Sequence, residues 1–147
     1  MLSKLHSAKT ILFWGSFSAA LIIDQVTKYV AGMYATMTIN RGISFGLFSN
    51  RWLVTILFIG YIVTFFFLAK LWMKKFPVFC GLFLGACFAN LIDRVVFGGV
   101  RDWLPIPFSS LHNTIADWVI LLSFLVFVVQ WGNDGRKNSN ADSPNTL

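Results

Sequence analysis

The chain contains no glutamate, and only 12% of its residues are charged. It has two cysteines, Cys80 and Cys87, seven positions apart in one apolar segment. That separation along a helix is too long for an internal disulfide, so we expect two core-packing thiols. No spacing of histidine, cysteine and acidic residues matches a metal site, and no cofactor is expected. The absences therefore argue against a disulfide framework and against a metal centre.

Hydrophobic residues make up 56% of the chain, with a mean hydropathy of +0.69, which is too apolar for a soluble domain of this length. We predict an all-α membrane protein with four transmembrane helices in one domain, residues 1–131. Each apolar segment is close to the ~20 residues that cross a bilayer core. The predicted spans are 10–31, 52–71, 76–96 and 115–131. Residues 132–147 are polar and are predicted to form a disordered cytoplasmic tail.

Lysine and arginine predict the orientation of these spans. Basic residues precede span one, fill the turn between spans two and three, and follow span four. An even number of spans places all three groups on one side, which the positive-inside rule makes cytoplasmic, with both termini. Because the basic residues form no stripe, the net charge of +6 predicts no nucleic-acid partner. A cleaved signal peptide in residues 1–23 is the competing interpretation, but cleavage would leave three spans and split the basic groups across the membrane.

Four of the six aspartates lie in or beside the spans: Asp24, Asp93, Asp102 and Asp117. A carboxylate at the bilayer centre costs about 2.5–3.5 kcal/mol, so their retention suggests a function. With alternating span directions, all four fall at the outer membrane face. Asp24 and Lys28 are four positions apart with the acid first, which predicts a helix ion pair. That pair either neutralises itself where the helix leaves the lipid or helps to bind substrate or lipid.

Two further polar motifs flank the spans. Asn40 and Gly42 belong to a segment that tolerates tight turns, so it is shaped by backbone requirements or offers an amide surface to an extended peptide. Asn90, Asp93 and Arg94 end span three, and Asn90 lies one turn from the other two, which predicts a shared hydrogen-bonded cluster. Asp93 and Arg94 do not face each other on a helix, so one of them is expected to pair elsewhere in the bundle.

Asp102 and Asp117 have both a structural and a catalytic interpretation. Asp102 follows a Gly-Gly helix breaker and precedes two prolines, so it is a loop charge held near the membrane surface. Asp117 follows Thr114 by three positions, the spacing of a capping box. The catalytic alternative brings both carboxylates to the outer mouth of the bundle. Two close carboxylates share a proton, and such a pair can activate water while polarising an amide carbonyl.

Taken in order, the motifs resemble the signal peptidase II family of bacterial lipoprotein signal peptidases. The matching segments are Asp24-Gln-Val-Thr-Lys28, Asn40-Arg-Gly-Ile-Ser-Phe-Gly46, Gly85-Ala-Cys-Phe-Ala-Asn90-Leu-Ile-Asp93-Arg94, Val100-Arg-Asp102-Trp103 and Ala116-Asp117. The resemblance covers nearly the whole chain except the tail.

The resemblance implies a membrane aspartyl endopeptidase of the bacterial inner membrane, with its active site at the extracytoplasmic face. It implies cleavage of diacylglyceryl-modified prolipoproteins before the lipidated cysteine, in contact with membrane lipid, by a monomer. It assigns Asp102 and Asp117 as the catalytic dyad. The positions that match substrate-facing or site-supporting residues are Asp24, Lys28, Asn40, Gly42, Asn90, Asp93, Arg94, Asn113 and Thr114.

The chain departs from the family pattern at several positions. Arg101 stands where valine is usual before the first catalytic acid, and Thr114 replaces an asparagine that supports the dyad, unless Asn113 fills that role from one residue earlier. The segment between Lys28 and Asn40 is short, so the extracytoplasmic β-cradle is expected to be reduced or missing. These departures keep open a catalytically weak relative that binds lipopeptides. A small proton-coupled carrier is the alternative of a different class, although a relay needs ionisable groups spread through the membrane depth.

Overall fold

A computed structural model describes residues 2–34, 37–42, 51–68 and 70–141 of the chain. Five helices dominate it, and four short strands lie between them. The helices are α1 (Leu2–Tyr34), α2 (Arg51–Leu68), α3 (Lys70–Lys75), α4 (Pro77–Phe97) and α5 (Ile115–Ala141). The strands are β1 (Thr38–Asn40), β2 (Val100–Asp102), β3 (Leu104–Pro105) and β4 (His112–Asn113).

Among the described residues, three helical segments are long and apolar enough to cross a membrane, namely Ser7–Tyr34, Pro77–Phe97 and Ile115–Asn133. They correspond to predicted spans one, three and four. Helix α2 covers most of predicted span two and has 18 residues, a length of about 27 Å. Its crossing of the membrane, the total of four spans and the side of the termini stay predictions.

Helix α5 extends well past the predicted end of span four. The sequence predicted a disordered tail from residue 132, and this is wrong for residues 132–141, which continue the helix. No proline occurs in this stretch before Pro144, so every backbone N–H remains able to donate along the helix. The rest of the predicted tail, 142–147, lies outside the described residues.

Helix α4 is the central helix of the bundle and packs closely on α1. It begins with Pro77 in its first turn and ends at Gly98, whose φ of 75° is the left-handed conformation that closes helices. A Cβ at Gly85 would collide with the backbone of Phe17 in α1, so only glycine permits this approach. The short distance between the two helices lets polar side chains of α1 reach α4 directly.

The core forms around α4 as two clusters. Phe83, Leu84 and Cys87 pack with Ile62 of α2, while Ala86 and Ala89 pack with Ala116 of α5. Both cysteines are free and fully buried, which confirms their predicted packing role.

The strands form two antiparallel pairs next to the end of α4. Strand β1 pairs with β2, with Thr38 opposite Asp102 and Asn40 opposite Val100. Strands β3 and β4 form a hairpin whose turn places Phe108 at a φ of 63°. Asp102, at the end of β2, lines the same cavity as Asn90 and Arg94 of α4.

Candidate active site

The predicted ion pair between Asp24 and Lys28 is confirmed and is completely buried. The Lys28 Nζ lies 2.6 Å from Asp24 Oδ2, and both side chains are 0% exposed. The same ammonium lies 3.1 Å from Asp93 Oδ2 and donates to Asn90 Oδ1 at 3.0 Å. The Lys28 ammonium thus lies within ion-pair distance of two carboxylates and donates a hydrogen bond to one amide oxygen.

Asp93 is the second centre of this network, and its other partners were not predicted. Arg101 donates from its backbone N–H (3.0 Å) and Nε (3.3 Å) to Asp93 Oδ2, and from Nη2 (2.8 Å) to Oδ1. Gln25 donates to Asp93 Oδ1 at 3.0 Å and accepts from Arg101 Nη2 at 2.7 Å. Thus Asp93 does pair elsewhere, as expected, and Arg101 is the partner in β2.

The network is electrically balanced. Asp24 and Asp93 supply two negative charges, and Lys28 and Arg101 supply two positive ones. Burying an unpaired charge is strongly unfavourable, whereas a paired and fully hydrogen-bonded set is tolerated. We refer to Asp24, Gln25, Lys28, Asp93 and Arg101 as the ion network.

Asn90 connects the ion network to Asp117. Its Oδ1 accepts from the Lys28 ammonium, which can only donate, so the orientation of the amide is determined by that contact. The Nδ2 group then faces Asp117 and donates to its Oδ1 at 2.7 Å. The predicted cluster therefore forms in part: Asn90 and Asp93 share the Lys28 ammonium, whereas Arg94 donates to Gly42 O instead.

Asp117 forms the predicted capping box with Thr114. The Asp117 N–H donates to Thr114 Oγ1 at 3.2 Å, and the Thr114 N–H donates to Asp117 Oδ2 at 3.3 Å. The N–H of Ala116, in the first turn of α5, donates to Asp24 Oδ1 at 2.9 Å. The start of α5 is therefore tied to α1, and both oxygens of Asp117 accept a hydrogen bond.

Asp102 is buried but has fewer partners. Its residue is 2% exposed, and its Oδ1 has no hydrogen-bond partner within the described parts of the chain. The pKa of this carboxyl is raised from its usual 3.8 to about 7. Burial is the main cause and the nearby charge of Asp117 adds to it, while the Asn40 side chain and the charges of Lys28 and Arg94 oppose the rise. Asp102 therefore holds its proton far more readily than an exposed aspartate.

Asp102 and Asp117 line one cavity of about 830 Å³. Its polar lining includes Asn40, Asn90, Arg94 and Asn113. Its apolar lining follows α5 away from Asp117 and continues on α2, and consists mainly of Ile120, Leu121, Phe124, Phe58 and Tyr61. From Asp117 to Phe124 the helix rises by about 10 Å, so the cavity joins two carboxylates to a long apolar wall. We call it the dyad cavity.

Arg94 faces the dyad cavity rather than the ion network. Its Nη2 donates to Gly42 O at 3.2 Å, and its guanidinium lies 5.6 Å from the Phe58 ring centroid. Gly42 in turn donates its N–H to Asn40 Oδ1 at 3.1 Å. The structure thus brings Asn40, Gly42 and Arg94 together. Residues 43–46 of the segment that begins at Asn40 lie outside the described residues.

The sequence left open whether Asn113 or Thr114 supports the dyad, and the structure gives the two residues different positions. Thr114 is fully buried and caps α5, whereas Asn113 lies in β4 and lines the dyad cavity. Over the described ranges, no group of three or more His, Cys, Asp or Glu side chains is arranged to hold a metal ion.

Sequence comparisons agree with this geometry. A family model described as signal peptidase (SPase) II matches residues 16–131. A lipoprotein signal peptidase of Campylobacter jejuni subsp. doylei is 30% identical over 134 residues, covering 80% of this chain and 85% of the relative. One of Syntrophomonas wolfei is 28% identical over 145 residues, covering 85% and 95%.

Two solved structures share the fold. One, described as a bacterial membrane enzyme determined by the in meso method, has a TM-score of 0.65 at 20% identity, covering 96% of this chain and 94% of its own. Another of the same description has a TM-score of 0.61 at 22% identity, with coverages of 85% and 92%.

Proposed function

The chain belongs to the signal peptidase II family, and on that premise we propose that it is an aspartic endopeptidase that removes signal peptides from diacylglyceryl-modified prolipoproteins. The bond cleaved is the one on the N-terminal side of the lipidated cysteine. The observation that carries the proposal is that Asp102 and Asp117, on different elements and fifteen positions apart, line the same cavity.

We base the proposed roles of the two carboxylates on their different surroundings. Asp117 accepts hydrogen bonds on both oxygens, from Asn90 and from the Thr114 N–H, and these bonds stabilise its ionised form against the cost of burial. Asp102 has a pKa of about 7 and an oxygen without a donor, which favours its protonated form. Asp117 is therefore the general base and Asp102 the general acid.

The reaction follows from these roles. Asp117 takes a proton from water as the water oxygen bonds to the scissile carbonyl carbon, and Asp102 gives its proton to the carbonyl oxygen. The resulting tetrahedral carbon re-forms its carbonyl and returns that proton to Asp102. The C–N bond breaks as the proton held by Asp117 passes to the leaving amine. Both carboxyls end in their starting states, and one water has been consumed.

The apolar wall of the dyad cavity supports an amphiphilic substrate. Phe58, Ile120 and Phe124 offer a surface to acyl chains or to an apolar peptide segment, while Arg94 and Asn113 lie beside the carboxylates to meet the polar backbone.

The membrane arrangement completes the proposal. The protein is a monomer in the bacterial inner membrane, α2 is the second of its four spans, and both termini are cytoplasmic. The ends of α1 and α4 that carry the ion network face the outside. The two strand pairs are the reduced form of the cradle.

The test uses the full-length protein in proteoliposomes with a synthetic prolipoprotein peptide, either diacylglyceryl-modified or unmodified at its cysteine. Only the modified peptide should be cleaved, with mass spectrometry placing the cut directly before that cysteine. Asp102→Asn and Asp117→Asn should each lower the rate on the order of 10³-fold or more while inserting normally. Asp142→Asn, the same change in the polar tail, should cleave like the wild type.

Three outcomes would count against the proposal. Cleavage by Asp102→Asn at the wild-type rate would remove that residue from the dyad. Tight binding of the lipopeptide without turnover at any pH would indicate the catalytically silent relative. Proton flux into the vesicles without proteolysis would indicate the carrier.

A further inference from the structure

Arg101 and Asp102 are neighbours in β2 with different surroundings. Successive side chains of a strand point to opposite faces. Asp102 lines the dyad cavity, whereas Arg101 is not among the residues that line it and binds Asp93 instead. One three-residue strand therefore carries a proposed catalytic acid on one face and an ion-network cation on the other.

The contacts of Arg101 connect β2 to two helices. Its guanidinium holds Asp93 of α4 by two hydrogen bonds and Gln25 of α1 by a third, at 2.7–3.3 Å. It also stacks over the Phe97 ring of α4, with its central carbon 4.0 Å from the ring centroid. The Arg101 backbone N–H adds its own bond to Asp93.

The remaining attachment of β2 is modest in comparison. Its ladder with β1 spans three residue pairs, and β1 itself is a three-residue strand. Val100 is buried and the Thr38 hydroxyl donates to Asp102 O, and the Arg101 side chain adds the hydrogen bonds that connect β2 to α1 and α4.

We infer that Arg101 is a positioning residue for the reaction, which fixes Asp102 relative to Asp117 by clamping β2 to α1 and α4. This inference rests on the proposed function. The geometry depends on arginine itself, because its planar fork grips both oxygens of Asp93 and an amide at once, whereas a lysine ammonium is a point charge. A shift of about 1 Å in a reacting group can cost about a hundredfold in rate.

The test compares Arg101→Lys with Arg101→Gln. Arg101→Lys keeps the ion network electrically balanced, so its melting temperature should stay close to that of the wild type. Its kcat per folded molecule should nevertheless fall about tenfold or more, with KM within about twofold, because Arg101 does not line the cavity. Arg101→Gln should lose kcat and also melting temperature, since it leaves the network with an unbalanced negative charge.

A second variant tests the clamp without touching a charge. Gln25→Leu removes the amide that accepts from Arg101 Nη2 and should also lower kcat with little change in KM. Its effect should be less than additive with that of Arg101→Lys, because both disturb one clamp. Lys74→Gln, which removes an exposed cation from α3, should leave both constants unchanged.

The outcomes separate this inference from the proposed function. If the wild type does not cleave the lipidated peptide, the proposed function fails. If the wild type cleaves and Arg101→Lys retains full kcat, charge alone suffices and the positioning role is wrong. If instead KM rises while kcat is unchanged, Arg101 acts in substrate binding, which also overturns the inference.

Discussion

The ion network and the dyad cavity use the same residue type in opposite ways. In the ion network, Asp24 and Asp93 are fully buried, and Lys28 lies 2.6 and 3.1 Å from them. In the dyad cavity, Asp102 is equally buried, yet its Oδ1 has no partner in the part of the chain described. The first arrangement pairs each carboxylate with a cation, while the second leaves a carboxyl able to hold and release a proton near neutral pH.

The comparison also explains why the two sites adjoin. Asn90 donates to Asp117 because Lys28 occupies its oxygen, and Arg101 holds the strand that carries Asp102. The paired carboxylates thus orient the groups that hold the reactive ones.

The largest effect is expected from removing the shared cation. Lys28→Met leaves Asp24 buried without its cation and deprives Asp93 of one of two, so it should lower the free energy of unfolding by about 3–5 kcal/mol. Thermal unfolding in detergent measures this. Lys74→Met, which removes an exposed lysine from α3, should change it by less than about 1 kcal/mol. Equal melting temperatures for the two variants would mean that the ion network does not stabilise the fold.

A smaller loss is expected from separating α1 and α4. Gly85→Ala places a methyl group against the Phe17 backbone and should cost about 1–3 kcal/mol. Gly15→Ala is the matched control, because a Cβ there meets nothing within 4 Å, and it should stabilise α1 by about 0.5–1 kcal/mol. Opposite shifts in melting temperature are the expected result, and a neutral Gly85→Ala would contradict the close approach of the helices.

Asp102→Asn should make the folded protein more stable at pH 8 while abolishing activity. Because the pKa of Asp102 is about 7 in the folded protein and near 3.8 in the unfolded one, the folded state holds more protons between these values. The free energy of unfolding therefore falls as the pH rises from about 4 to about 7. Asparagine at this position stays neutral, so the variant does not lose this stability. Thermal unfolding should show a higher melting temperature than that of the wild type at pH 8, and the difference should vanish at pH 4.

Asp93→Asn provides the contrast with Asp102→Asn. Since Asp93 is paired with Lys28 and Arg101, this variant should be less stable than the wild type at pH 8. A stabilising Asp93→Asn, or a destabilising Asp102→Asn, would erase the distinction between the two regions.

The smallest effect is expected at the cap of α5. Thr114→Ala removes the hydroxyl that accepts from the Asp117 N–H and should cost about 1 kcal/mol. Thr114→Ser keeps that acceptor and should be close to neutral. Urea unfolding of both variants measures the difference, and equal midpoints would argue against the capping box.

The sequence predicted the parts of the site that depend on local spacing. Asp24 with Lys28, and Thr114 with Asp117, are separated by four and three positions within or at the start of one helix, and both pairs are confirmed. Such contacts follow from helix geometry alone.

Contacts that depend on the packing of separate elements could not be predicted in the same way. Arg101 reaches Asp93 only because the chain reverses after Gly98, and Gln25 reaches both only because α1 and α4 approach closely. The one signal for Arg101 was its replacement of a usual valine beside Asp102. The helical course of residues 132–141 was missed because their polar composition outweighed the absence of proline.

The pH dependence of kcat/KM on a lipidated peptide tests the division between Asp102 and Asp117 most directly, because it reports the ionisations of the free enzyme. With Asp102 as the protonated acid and Asp117 as the ionised base, kcat/KM should pass through a maximum and fall above about pH 7, approaching tenfold per pH unit. A rate constant that instead rises through pH 7 and stays high to pH 9 would contradict the account, because Asp102 would then act in its ionised form.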